Sequence, residues 1–257
     1  IDINNRRSVK RKLHFIKMQG CGNDYIYIDC FDSEIDSPEF LSVVLSDRHF
    51  GIGGDGIVLI CPSRVADAKM RMFNKDGSEG MMCGNAIRCV GKYLHDARGL
   101  CKTNITIETL SGIKQLKLIT KDGAVTRAEV NMGKAELTPA KIPVALDGET
   151  VIDRPVDICG TEYRITCVSM GNPHCIVFCD EVDGLDLEKI GPQFESNPLF
   201  PDRVNTEFVK IIDDHTIKMR VWERGSGETL ACGTGSCAAV VAACENGYCK
   251  RDEEVKV

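Results

Sequence analysis

The sequence predicts an α+β protein of two pseudo-symmetric lobes from an internal duplication, each a mostly antiparallel or mixed β-sheet wrapped around a helix, with the active site in the cleft between them. Three observations carry this expectation. Strand-like runs outnumber helical ones and do not alternate with them regularly, which argues against a doubly wound parallel sheet. Residues 69–84, KMRMFNKDGSEGMMCG, recur at 218–233 as KMRVWERGSGETLACG with six identities in sixteen, where chance gives about one. Each copy also runs strand, polar turn, Cys-Gly, helix, so the repeated unit is structural as well as textual.

The elements follow from hydrophobic periodicity. In the first half, β-rich or alternating runs cover residues 13–18, 25–30, 57–61, 69–74, 104–109, 113–120 and 125–132, with helical spacing over 37–46 and 84–98. In the second half the strand-like runs are 150–158, 162–169, 174–179, 205–212 and 216–222, and the helical ones 185–195 and 233–246. Gly247 stands where the last helix should stop. The 149-residue offset also puts Gly22 and Asn23 on Gly171 and Asn172, so the repeat extends through most of each half. The expected organisation is a basic arm over residues 1–12, a first lobe over 13–131 and a second over 132–257. The lobe boundary is set near Asn131, where a strand gives way to MGKAELTPAKIP with its two prolines.

Composition narrows the function classes. The chain has 257 residues, a net charge of −6, a single Trp and 6% aromatics, which leaves no basic surface suited to nucleic acid apart from Arg6, Arg7, Lys10, Arg11 and Lys12 in the arm. That cluster reads as a solvated arm or a remnant of processing, since no apolar segment of the kind a secretory signal needs follows it. Apolar runs fall far short of the roughly 20 residues that span a membrane, so neither nucleic acid nor membrane is an expected partner. Fourteen cysteines without a C-x-x-C pair indicate neither a disulfide scaffold nor a zinc ribbon, so no metal is expected. They point to a reducing setting, cytoplasmic or, in a plant, plastidic.

Chemistry enters with Cys83 and Cys232. A thiol just before a helix lies beside free first-turn N–H groups, which favour thiolate and are expected to lower the pKa. Gly84, Gly233 and Gly235 let a carboxylate approach those groups. Two matched thiols across a cleft suit racemisation or epimerisation by two bases, one taking a proton and the other delivering one. A nucleophilic cysteine partnered by His174 or His49 would leave the duplication of the Cys-Gly-helix unit without a purpose. Pyridoxal phosphate would need a Schiff-base lysine in a phosphate-binding setting, which the sequence does not display, so no cofactor is expected. A ligand-binding or thiol redox protein is the reading from another class.

MQGCGNDY (18–25), RHFGIGGDG (48–56), FNKDGSEGMMCGNAIRC (73–89), SMGNPHC (169–175), RVNTEF (203–208) and VWERGSGETLACGTGSCAA (221–239) together resemble the diaminopimelate epimerases, from Leu13 onward. The resemblance implies that Cys83 and Cys232 are the acid/base pair of a reaction interconverting LL- and meso-diaminopimelate in lysine and cell-wall precursor biosynthesis, without pyridoxal phosphate or metal. It assigns Asn23, Asn74, Asn172, Asn205, Glu223 and Arg224 to substrate recognition, and Gly84, Asn85, Gly233 and Thr234 to the reacting carboxylate. A substrate with an amino-acid group at each end needs a clamp at its far end, and Arg224 and Glu223 can hold a carboxylate and an ammonium there. A homodimer acting on a small molecule is the expected assembly. The rival is another cofactor-independent isomerase on the same fold, such as a proline or hydroxyproline racemase. Two positions depart from the family pattern: Gly56 stands where some members carry Gln, and Ala86 where Gly is common. The family also continues through further strands, so the resemblance implies a second lobe cut short at Val257.

Overall fold

A computed structural model describes residues 12–257, so the arm expected over 1–12 lies outside the described residues apart from Lys12. The first half forms β1 (Ile16–Gly20), β2 (Asn23–Asp29), α1 (Pro38–Ser46), β3 (Gly56–Cys61), β4 (Ala68–Asn74), β5 (Glu79–Gly80), α2 (Gly84–Asp96), β6 (Asn104–Thr109), β7 (Gly112–Lys121) and β8 (Ala124–Val130). The second half forms a short 3-10 turn (Pro139–Lys141), β9 (Arg154–Ile158), β10 (Thr161–Ser169), β11 (Pro173–Phe178), α3 (Leu187–Glu195), β12 (Asn205–Asp213), β13 (Thr216–Glu223), β14 (Gly227–Thr229) and α4 (Gly233–Glu245). One sheet of eight strands runs β1-β2-β3-β4-β6-β7-β8 with β5 beside β4, and a second of six runs β14-β13-β12-β11-β10-β9. The architecture is α+β in two lobes, as the sequence predicted.

The duplication extends to register. Helices α1 and α3 differ by the 149-residue offset at both ends, as do α2 and α4. In β2–β3, which is parallel, Ile26 faces Ile57, and in β11–β12 Cys175 faces Thr206 at the same offset. Antiparallel Ile57↔Phe73 likewise maps onto Thr206↔Trp222. The hairpins leading in have diverged: Gly20 pairs with Asn23, but Ser169 pairs with Pro173, which leaves Asn172 in a turn one residue longer. The strand-like runs of the sequence lie within a few residues of the observed strands. The two- and three-residue strands β5 and β14 were not anticipated, because Gly and charged residues there read as polar turn.

Burial explains the local sequence. β2 and β3 lie between two helices and are apolar on both faces. Tyr25, Tyr27, Val58 and Ile60 pack on the side of α2, with Ile87, Val90 and Leu94, whereas Ile26, Ile28, Ile57 and Leu59 pack with Leu41 and Leu45 of α1. β6 and β7 are covered on one face only and alternate, burying Ile105, Ile107, Leu116 and Leu118 beside α2. In the second lobe α4 buries Ala238, Ala239, Ala242 and Ala243 against Val168, Ile176, Val209 and Ile217, and these small side chains let helix and sheet approach closely. α3 covers the other face, with Phe194 and Trp222 in that core. Among the described residues no helix is long and apolar enough to cross a membrane.

The α3 contact is tight. A Cβ on Gly191 would lie 2.3 Å from Trp222 Cδ2, and Trp222 is held by its indole N–H donating to Glu195 Oε2 at 2.7 Å. Gly191→Ala should therefore destabilise the protein by about 1–3 kcal/mol through overpacking, more than the roughly 0.5–1 kcal/mol that alanine gains over glycine in a helix. A lower urea midpoint with an unchanged slope is expected, and an equal or higher midpoint would contradict this packing.

Candidate active site

The two central helices meet N-terminus to N-terminus. A Cβ on Gly84 would stand 3.5 Å from the Gly233 Cα, and one on Gly233 would stand 3.4 Å from the Gly84 Cα. Cys83 and Cys232 are the N-caps of α2 and α4, both extended in backbone, and each sulfur accepts from the third N–H of its helix: Ala86 N at 3.5 Å and Gly235 N at 3.3 Å. The earlier first-turn N–H groups, those of Gly84, Asn85, Gly233 and Thr234, have no intrahelical acceptor, so donors from two helices converge on one small region.

The surroundings of the two sulfurs differ. On the first lobe, Cys83 Sγ donates to Asn23 Oδ1 at 3.4 Å, and Asn23 Nδ2 donates to Asp55 Oδ2 at 2.7 Å. Tyr25 lies beneath, its phenol pushed well up by burial and by the nearby Cys83 sulfur. On the second lobe, Cys232 Sγ lies 3.4 Å from Thr234 Oγ1, which accepts from Asn172 Nδ2 at 3.3 Å. Asn172 Oδ1 is 3.1 Å from His174 Nε2, and His174 Nδ1 is 2.8 Å from Glu207 Oε1, both of the latter residues fully buried. The offset places Tyr25 against His174 and Val58 against Glu207, so matched strand positions carry apolar or phenolic groups in one lobe and a hydrogen-bonded imidazole and carboxyl in the other.

The remaining candidate residues brace the surrounding loops and turns. Asn85 donates to the Ala231 carbonyl at 3.2 Å and accepts from Arg88 Nη2 at 2.6 Å, which ties α2 to the loop before Cys232. Asn205 is a brace: its Oδ1 accepts from Arg224 N at 2.9 Å and its Nδ2 donates to the Pro173 carbonyl at 2.9 Å. The Arg224 guanidinium reaches the Asp202 carbonyl at 2.8 Å. Asn74 donates to Ser78 Oγ at 3.0 Å, in the polar turn of the first lobe. Glu223 is bonded by the Thr229 hydroxyl and by the Cys232 thiol, and burial pushes its pKa up. Its carboxylate faces the thiols, a placement that pairing it with Arg224 in sequence did not convey.

Two features escaped sequence reasoning. The Glu207–His174 pair lies under the first turn of α4, where a Cβ on Gly235 would stand 2.4 Å from Glu207 Oε1. His174 reaches Asn172 and Glu207, and His49 is an exposed loop residue, so neither is placed as the partner of a nucleophilic cysteine. Position 56 admits no side chain: with φ +154°, a Cβ there would lie 2.0 Å from the Phe73 carbonyl and 2.9 Å from Tyr25 Cε1. Comparing the lobes at the fixed offset would have flagged Tyr25/His174 and Val58/Glu207 as diverged pairs.

The thiol pKa values run against the sequence expectation. Burial raises both; for Cys83 it outweighs the N–H groups of Ala86 and Asn85, and the Glu223 charge adds to it. For Cys232 the Glu223 and Glu207 charges reinforce burial against Thr234 and the Gly235 N–H. The depth of the site, absent from the sequence, decides the sign.

Comparison with known proteins gives a family. The diaminopimelate epimerase family profile matches residues 15–138 and 166–257. The chain belongs to the diaminopimelate epimerase family. It is 56% identical over 251 residues to a diaminopimelate epimerase of Desulfovibrio desulfuricans, covering 95% of this chain and 88% of that one. It is also 54% identical over 245 residues to one of Methanococcus maripaludis, with the same coverages. As a member of this family the chain is an epimerase, of the isomerase class. Among solved structures, a hydroxyproline epimerase from Agrobacterium vitis with bound trans-4-OH-L-proline superposes with a TM-score of 0.69 at 15% identity, over 95% of this chain and 80% of that one. A PhzF-family phenazine biosynthesis protein from Bacillus anthracis gives 0.60 at 18%, over 94% and 81%. At these identities the likeness is one of fold.

With both thiols raised, alkylation of Cys83 by iodoacetamide in the ligand-free protein should accelerate with pH about a midpoint above the ordinary thiol value of about 8.5. A midpoint below pH 7 would mean that the helix N–H groups dominate.

Proposed function

We propose that the chain interconverts LL- and meso-diaminopimelate, in lysine and cell-wall precursor biosynthesis, by a two-base reaction at Cys83 and Cys232 that uses neither cofactor nor metal. The observation that carries this reading is the abutment of two helix N-termini, each capped by a cysteine. A carboxylate seated on the N–H groups of Gly84, Asn85, Gly233 and Thr234 sets the adjacent carbon between two sulfurs borne by different lobes. One sulfur, as thiolate, takes the α-proton; negative charge then spreads into the carboxylate, where two helix ends stabilise it; the other thiol delivers a proton to the opposite face. The roles exchange in the reverse direction.

Unlike surroundings support unlike starting stereochemistry. Asn23 holds the Cys83 side and Asn172 with Thr234 the Cys232 side, and Glu223 lies where it can accept from a substrate ammonium. Arg224, braced through Asn205, takes the distal carboxylate; Asn74, at the offset position of Glu223, contributes from the first lobe. A cyclic imino acid has no distal carboxylate and would leave Arg224 without a ligand, so turnover of diaminopimelate against proline separates the two readings. A cytoplasmic homodimer is part of the same proposal and is read out by light scattering and cell fractionation.

Cys83→Ala and Cys232→Ala should each lower kcat by roughly 10²–10⁴-fold or more with folding intact by circular dichroism; near-normal turnover in either would remove the mechanism. Arg224→Ala should lower kcat/KM for diaminopimelate by about 2–5 kcal/mol, and Arg224→Lys should recover only part, because an ammonium cannot reproduce a two-pronged guanidinium pair. If the wild-type enzyme processed an analogue without the distal carboxylate equally fast, Arg224 would have no such role.

A further inference from the structure

A second group of nucleophilic side chains lies on the outer face of the first sheet, at the opposite ends of the strands that begin at the active site. Cys30 follows β2 and Cys61 ends β3. The parallel register Ile28↔Leu59, Asp29↔Ile60 places them side by side, and Cys30 N donates to the Ile60 carbonyl at 2.8 Å. Neighbouring strands are about 4.7–4.9 Å apart, inside the window of about 4.4–6.8 Å that a disulfide requires between Cα atoms. Both side chains point to the α1 face, Cys30 buried and Cys61 partly exposed. Lys69 and Arg71 of β4 project from the same face, Lys69 directly across from Cys61. The guanidinium is held in place by Glu79 at 2.7 Å and by the Phe73 ring at 5.0 Å.

We propose that Cys30 and Cys61 form a thiol–disulfide exchange site that takes a low-molecular-weight disulfide as its reagent and closes to an intramolecular bond. The Cys61 thiolate attacks one sulfur of the reagent; a protein–reagent S–S bond forms as the reagent's own breaks, and one thiolate leaves. Cys30 gives its proton to solvent and attacks Cys61 Sγ, expelling the second reagent thiolate. Two protein thiols lose two electrons and two protons, and the reagent disulfide is reduced to two thiols. The charge pattern supports these roles. The neighbouring Cys30 thiol and the nearby Arg71 and Lys69 hold the Cys61 thiol below its ordinary value, while Cys61 and burial push Cys30 up.

The duplication supplies an internal control. At the offset, Cys30 becomes Cys179, whose N–H donates to the Val209 carbonyl at 2.9 Å in the same way, but Cys61 becomes Lys210, which pairs with Glu181 at 3.0 Å. Burial raises the Cys179 thiol. The dithiol therefore belongs to one lobe only, and the site is independent of the epimerase reading.

The test is exposure of the native protein to glutathione disulfide, followed by peptide mass mapping. The wild type should lose two hydrogens across the Cys30 and Cys61 peptides, reversibly with dithiothreitol. Cys30→Ala should stop at a mixed disulfide on Cys61. Cys61 should react at pH 7 roughly tenfold or more faster than Cys179, and Arg71→Gln should slow it several-fold. A mixed disulfide persisting on Cys61 in the wild type, or a Cys61 rate no higher than that of Cys179, would overturn the proposal, whatever the protein's activity on diaminopimelate.

Discussion

Two helices set N-terminus to N-terminus present partial positive charges to one another, an arrangement that is unfavourable on its own. Here the first residues of the two helices, Gly84 and Gly233, approach so closely that a Cβ on either would be in van der Waals contact with the other's Cα, at 3.5 and 3.4 Å. The opposing electrostatic effect is on the order of 1–2 kcal/mol for helix ends in partly buried settings. Each helix is anchored by far more than that. On α2 alone, Ile87, Val90 and Leu94 are buried in the first-lobe core, and each contributes about 1.5–3 kcal/mol. The two cores hold the helix ends together against their repulsion, and an anion seated between them relieves it. The site is thus organised by the lobes before any ligand arrives.

This constraint also accounts for the thiols. Placing the sulfurs at the junction buries them, and burial overrides the N–H groups that would otherwise acidify them. A resting pair of protonated thiols is less exposed to oxidation than a pair of thiolates. The Glu223 carboxylate, beside both sulfurs, adds its charge to the burial that raises them.

Much of this was legible in the sequence because duplication repeats constraints. Periodicity located the four helices, and one offset related the two cysteines and the Asn23/Asn172 pair, since a strand–turn–Cys-Gly–helix unit preserved twice points to geometry that both copies must supply. What stayed hidden depends on depth and on cross-strand neighbours. Tyr25 and Glu207 sit in strand runs that read as core, His174 reads as a candidate partner of a nucleophilic cysteine, and only β2–β3 and β11–β12 pairing brings these side chains beneath the cysteines. Nor does the sequence show why Gly56 replaces the Gln of some family members: the Phe73 carbonyl occupies the space a side chain would need. β5 and β14 are too short to leave a period.

The central claim, that one carbon is served by two bases on opposite faces, is tested most directly by hydrogen exchange in the first turnovers. Enzyme and LL-diaminopimelate are mixed in deuterium oxide and stopped at low conversion, and deuterium at the α-carbons is read by mass spectrometry. Two bases predict a meso product carrying one solvent deuterium at the inverted centre, beside remaining substrate that is still protiated. Product that retained the substrate's own hydrogen would mean that a single group removes and returns it, and would contradict the account.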